Sequence, residues 1–207
     1  MQAEKYALKH FNDGSTAVVV YIDDNNKLHC AWTGDSRAVL ESNGKLAFAT
    51  QDHKPDSPKE LQRISKAGGT IYKHGVWRIN GLAISRSIGD KPCKINAKGQ
   101  IIAIPEYAAI QLTPENHFLI IASDGLWDVM SNEQVIDIIK KELKNNISIA
   151  PSINIMEDVA IKIQNIAIKK GSSDNITVCL IKFSWNEINS IESHSIIKKL
   201  WNWIWSK

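Results

Sequence analysis

Four aspartates stand where a strand-like run gives way to a turn: Asp35 in Gly34-Asp35-Ser36-Arg37, Asp124 and Asp128 in Ser123-Asp124-Gly125-Leu126-Trp127-Asp128, and Asp174 in Ser172-Ser173-Asp174-Asn175. Carboxylates gathered in one cleft repel one another, and some must hold protons unless a cation relieves them. An all-oxygen donor set selects Mg²⁺, Mn²⁺ or Ca²⁺ over zinc. Two such ions, about 3.5–4 Å apart, orient and acidify a bridging water for attack on a phosphoryl group. The competing account is four separate acids that only shape turns, as Asp-Gly pairs commonly do. Spacing alone leaves both accounts open.

The elements that must position these acids follow from the apolar pattern. Phe118-Leu119-Ile120-Ile121-Ala122 is short, partly β-branched and halted by Gly125, which predicts a buried strand ending in a tight turn. Ser131-Asn132-Glu133-Gln134 then has the S-x-x-Q form of a capping box, opening a helix with Val135, Ile138, Ile139 and Leu143 on one face. Upstream, β-forming runs at 16–22, 28–33, from Ala38, and 46–50 are joined by short turns. Asn43-Gly44 is a strong hairpin signal. Successive strands on short turns mean an antiparallel sheet. Ser57-Pro58 suits a helix start, with Leu61, Ile64 and Ala67 on one face and Gly68-Gly69 as the stop. Runs 70–77 and 82–85 are strand-like, and 92–100 reads as a polar, mobile loop. Asn154-Ile155-Met156-Glu157 is a second capping box, for a helix with Val159, Ala160, Ile163, Ile166 and Ala167, and 176–183 is the last core strand. The sum is an α+β domain.

Composition narrows the class. The chain has 207 residues and a net charge of +3, enough for one ordinary domain and with no call for nucleic acid. Its three cysteines, Cys30, Cys93 and Cys179, form no C-x-x-C pair, so neither a disulfide framework nor a zinc site is indicated. Cys30 and Cys179 read as small buried strand residues of a reducing compartment. No signal peptide or membrane-spanning run is visible, which leaves the sequons at Asn146 and Asn175 without a role and makes the expected location cytoplasmic or nuclear. From Ser184 the character changes. Ile196, Ile197, Leu200, Trp201 and Ile204 approximate a helical stripe among tryptophans and lysines. Packing against the domain and partial disorder are one account of this tail, and a helix lying in a membrane interface is the other.

The order of motifs carries a resemblance. Gly14-Ser15-Thr16-Ala17, Gly34-Asp35-Ser36-Arg37, Asp52-His53-Lys54-Pro55, Ala67-Gly68-Gly69, Leu82-Ala83-Ile84-Ser85-Arg86-Ser87-Ile88-Gly89-Asp90, Ser123-Asp124-Gly125-Leu126-Trp127-Asp128 and Gly171-Ser172-Ser173-Asp174-Asn175 resemble, in sequence, metal-dependent protein serine/threonine phosphatases of the 2C type. That resemblance implies a four-layer sandwich of two antiparallel β-sheets flanked by helices, with a binuclear Mg²⁺ or Mn²⁺ centre at one end and room for a third ion. By motif position Asp124 and Asp174 look like ligands of the core metals, and Asp35 and Asp128 like ligands of a weaker accessory ion. The implied reaction is removal of phosphate from phosphoserine and phosphothreonine of proteins by metal-bound water, and 92–100 lies near the family's variable flap. Arg86 is a possible phosphate contact, since guanidinium pairs bidentately with phosphate, or a structural partner of Asp90.

The chain also departs from the family pattern. The Asp-Gly-His-Gly-Gly-type segment whose Asp bridges both metals, and the upstream Arg and Glu, have no counterpart, because Asp13-Gly14 continues into Ser15. The expectation is an N-terminally incomplete domain, with residues 1–13 as a lead-in ending a helix, 14–183 as the phosphatase-like part and 184–207 as the tail. Unpaired sheet edges would follow. Two functions remain open: an enzyme that needs the absent residues, or a catalytically inactive phosphatase-like binding or scaffold module. The oligomeric state is open as well.

Overall fold

The computed structural model describes residues 2–95, 97–145 and 155–185. In chain order they form α1 (Gln2–His10), β1 (Gly14–Ser15), β2 (Ala17–Ile22), β3 (Lys27–Thr33), β4 (Arg37–Ser42), β5 (Lys45–Ala49), α2 (Pro58–Lys66), β6 (Tyr72–His74), β7 (Val76–Arg78), β8 (Ile88–Gly89), α3 (Lys91–Lys94), β9 (Glu106–Gln111), β10 (Phe118–Ala122), α4 (Asp124–Trp127), α5 (Asn132–Asn145), α6 (Ile155–Lys169) and β11 (Val178–Lys182).

Two antiparallel sheets make the body, one ordered β11-β10-β4-β5 and the other β2-β3-β9. Strand β10 shows why they stack. Its alternate residues Phe118, Ile120 and Ala122 pack with Leu126, Trp127, Val135, Ile139, Val159, Ile163 and Ala167 of α4, α5 and α6. Leu119, on the opposite face, packs with Leu28, Cys30 and Trp32 of β3 and Leu40 of β4. A strand buried on both faces must be apolar throughout, as this one is. Asn43 and Gly44, at φ 48° and 76°, supply the two left-handed positions that the β4–β5 hairpin needs. The capping box is formed on both sides: Gln134 N donates to Ser131 Oγ and Ser131 N to Gln134 Oε1, each at 3.2 Å.

The α+β sandwich expected from the sequence is therefore present, with helices on the four-stranded sheet. Among the described residues, the outer face of the three-stranded sheet is open: Val19, Tyr21 and Tyr107 are 61%, 59% and 62% exposed, so no helix covers them. Antiparallel sheets tolerate one wet face.

Several local expectations differ from what forms. Asp124-Gly125 is not a tight turn but the start of α4. Residues 82–85 make no strand, only a bridge from Leu82 to Ile79, and the loop at 92–100 includes part of α3. On α2, Leu61 is exposed while Glu60 is buried, because the acid has cationic partners inside. Ser57 does not cap that helix with its side chain; its Oγ donates to Lys54 O instead. Cys30 is buried as expected, but Cys179, on edge strand β11, is exposed. Just past Phe183, Trp185 packs on the inter-sheet core and its Nε1 donates to Asn116 O at 2.8 Å. The second capping box, at Asn154, and the tail beyond Trp185 lie outside the described residues.

Candidate metal centre

Asp124 stands at the head of α4, directly after β10 and Ser123. Asp128 closes that turn, its N–H donating to Asp124 O at 2.8 Å, so the two carboxylates occupy one face as an i,i+4 pair. Asp174 belongs to the connection from α6 to β11, and three contacts tie that connection to the β10–α4 junction. Ser172 Oγ donates to Gly125 O at 2.7 Å, Thr177 N to Ser123 Oγ at 3.0 Å, and Ser123 Oγ to Asn175 O at 3.2 Å. Gly125 permits this approach: a Cβ there would lie 2.5 Å from Asn175 O.

Asp35 comes from the β3–β4 corner. Gly34 turns the chain at φ 99°, where a Cβ would lie 2.3 Å from Thr16 Cγ2. His53 clasps the same corner, with its N–H donating to Gly34 O and Gly34 N–H donating to its Nδ1, both at 3.0 Å. Asp35 is buried and accepts from Lys54 Nζ, which also lies 4.0 Å from Asp128 Oδ1.

The charges of these groups meet around Asp124. Burial pushes its carboxyl above the usual carboxylate range, Asp35, Asp128 and Asp174 add to the rise, and Lys54 partly opposes it. Lys54 is itself held above its ordinary value: burial works against the ammonium, but Asp35 and then Asp128 and Asp52 outweigh it. As they stand, no three His, Cys, Asp or Glu side chains close on a common point among the described residues. The set nonetheless fits a hard divalent cation, being all oxygen, anionic in excess and brought to one end of the sandwich.

Arg86 is elsewhere. It is buried, its Nε and Nη2 donate to Glu60, its Nη1 donates to Ile104 O at 2.9 Å, and Nη2 also reaches Glu106. Its ion-pair partners are Glu60 and Glu106, not Asp90, and four of its five N–H groups are engaged within the chain. The sequence signal for Glu60 is faint, an acid on a helix face that otherwise carries Ile64, and a solvated position is the ordinary expectation for it. Lys54 is visible in the sequence only as one letter of the Asp-His-Lys-Pro motif.

Comparison with known proteins identifies the family. The family model described as Protein phosphatase 2C matches residues 1–176. Human Protein phosphatase 1B is 40% identical over 177 residues, covering 83% of this chain and 35% of the human protein. Probable protein phosphatase 2C 69 of Arabidopsis thaliana is 40% identical over 170 residues, covering 82% of this chain and 43% of the plant protein. The chain thus spans between about a third and a half of the curated relatives it matches. Among solved structures, a phosphatase from a pathogenic strain of Toxoplasma gondii superposes with a TM-score of 0.64 at 30% identity, over 76% of this chain and 50% of that one. A C. elegans sex determining protein superposes with a TM-score of 0.71 at 26% identity, over 88% and 43%. By sequence motif, fold and the family match across most of its length, this chain belongs to the protein phosphatase 2C family.

Proposed function

We propose that this chain carries the metal-binding face of a protein serine/threonine phosphatase. Asp124 and Asp174 would hold core Mg²⁺ or Mn²⁺ ions, and Asp35 with Asp128 a weaker accessory one. The surplus of negative charge around Asp124, whose carboxyl is pushed up by burial and then by three neighbouring aspartates, supports this reading most directly. A site that only shapes turns has no reason to bring four acids together at a cost in like-charge repulsion. When bound, divalent ions at these carboxylates supply the Lewis acidity that hydrolysis of a phosphate monoester by water requires.

The chain's own residues set the geometry for that chemistry. The β10–α4 junction aims Asp124 and Asp128 to one side, the contacts of Ser123 and Gly125 bring in the Asp174 loop, and the His53 clasp presents Asp35. Phosphoserine and phosphothreonine side chains of proteins are the proposed substrates. The sequence contains no Asp-Gly-His-Gly-Gly stretch to bridge two ions, so turnover is assigned to this chain joined with such a segment.

Hydrolysis of a phosphothreonine peptide in millimolar Mn²⁺ tests the assignment. The 207-residue chain alone is expected to turn over very poorly. Fusion to, or co-expression with, a segment bearing that stretch is expected to give robust Mn²⁺-dependent hydrolysis that Asp124→Asn abolishes. An extended chain with no activity, or with activity indifferent to Asp124→Asn, would contradict the proposal.

A further inference from the structure

We propose that Lys54 is a built-in cation at the Asp35–Asp128 end of the acid cluster, and that a divalent ion settles there only by displacing it. This rests on the metal-centre reading and adds a competitor within the chain itself.

The backbone of Lys54 is pinned. Its carbonyl accepts from Ser57 N at 3.1 Å and Ser57 Oγ at 2.9 Å, and the preceding His53 carbonyl accepts from Ser85 N and Ser85 Oγ at 2.8 and 3.0 Å. Pro55 restricts the backbone of Lys54, the residue before it. From this fixed corner the side chain reaches Asp35, which is only 5% exposed at its side chain and has Lys54 as its ion-pair partner among the described residues. A buried carboxylate must have such a partner, so the ammonium holds Asp35 ionised and oriented. The same Nζ lies 4.0 Å from Asp128 Oδ1, and Asp128 is 62% exposed at its side chain.

Ligands offered by Asp35 and Asp128 define the space that Lys54 Nζ occupies. A divalent ion and an ammonium cannot share it, since like charges a few ångströms apart repel strongly even at the effective dielectric of a protein surface. The lysine stem is flexible and 31% exposed, so it can swing out without disturbing the pinned backbone. The accessory subsite is then weak by construction: each binding event must expel Lys54, which pairs with Asp35 and approaches Asp128, whereas it acts on Asp124 only at longer range.

Calorimetric Mn²⁺ titration of the intact chain tests this, comparing wild type with Lys54→Met, Lys54→Arg and Asp124→Asn, alongside thermal melts in EDTA. Lys54→Met is expected to tighten the weakest class of Mn²⁺ sites by ~10-fold or more, the scale set by removing one adjacent unit charge. It should also lower the melting temperature in EDTA, because Asp35 loses its partner. Lys54→Arg should titrate like wild type. Lys54→Gln, which keeps a donor for Asp35, decides the matter should Lys54→Met not fold. A purely structural lysine predicts weaker or unchanged Mn²⁺ binding in the neutral variants, and that result would overturn the proposal. If Asp124→Asn still removes the strong sites in that event, the metal-centre reading stands without it; if Asp124→Asn binds Mn²⁺ like wild type, the metal-centre reading itself fails.

Discussion

At Glu60 an acid is buried among cations; at Asp124 an acid is half-buried among other acids. Burial pushes both carboxyls up, yet they end on opposite sides of the ordinary value. At Glu60, hydrogen bonds from Arg86, Arg63 and Ser85 outweigh burial and hold it down at about 2. At Asp124, Asp35, Asp128 and Asp174 reinforce burial, and only Lys54 pulls the other way. The first cluster balances its charge internally and fastens α2 to the Ser85–Arg86 segment and to the start of β9. The second has Lys54 as its cation against four acids and leaves a surplus of negative charge at the end of the sandwich. The opposite directions of the two shifts follow from the neighbours: cations and donors beside a buried acid lower it, and other acids beside it raise it further.

The contrast breaks most visibly at Arg86. Arg86→Ala leaves Glu60 and Glu106 without their shared guanidinium and is expected to cost about 3–5 kcal/mol, the range for stripping one partner from a buried pair. Chemical denaturation would measure it, and a variant as stable as wild type would show that the network is not structural. A smaller loss is expected at the other cluster from Gly125→Ala. Its Cβ would sit 2.5 Å from Asn175 O, forcing apart the Asp124 and Asp174 loops. About 1–3 kcal/mol of stability should go, the usual scale for overpacking, together with Mn²⁺ affinity, whereas Arg86→Ala should spare affinity in whatever fraction remains folded.

The smallest effect is in pH. His53 lies beside the charge-matched cluster, where burial first and the Arg86 charge second depress its pKa from 6.5 to about 4. Below 6.5 the unfolded chain therefore takes up this proton before the folded one does, so the stability present above that pH is lost as pH falls toward 4. The Glu60 contribution, with a folded value of about 2 against an ordinary 4.5, is lost in the same sense but only from pH 4.5 downward. Melting temperatures of wild type and His53→Gln across pH 7 to 4 should diverge in slope, with the variant flatter. Parallel curves would mean that His53 titrates normally.

What could be seen in the sequence was what local chemistry decides. The Asn43-Gly44 hairpin and the Ser131–Gln134 box formed because their partners are a few residues away. The unbroken apolar run from Phe118 to Ala122 announced a buried strand. The same window around Asp124-Gly125 suits a turn or a first helical turn equally, and the choice fell to packing of Leu126 and Trp127 beneath α5 and α6. Glu60 and Leu61 exchanged places relative to the amphipathic pattern because Arg86, 26 positions away, supplies a buried counter-charge that no local pattern encodes. Arg86 pairs with Glu60 instead of the nearby Asp90 for the same reason, since proximity in sequence is no substitute for contact in space. Lys54 is hidden differently: its identity is plain, but its role depends on which acid its flexible stem reaches.

The central claim is that the surplus of acids around Asp124 serves to hold divalent ions. Isothermal titration of Mn²⁺ into wild type, Asp124→Asn and Asp56→Asn tests it most directly, Asp56 being an exposed turn acid outside the cluster. Removing one anionic ligand from an all-oxygen site takes away both charge and a coordinating atom. Asp124→Asn is therefore expected to lose the strong Mn²⁺ sites, with affinity down ~100-fold or beyond detection on the scale of lost charge–charge attraction at a few ångströms. Asp56→Asn should titrate like wild type. Equal Mn²⁺ affinity in all three proteins would contradict the account.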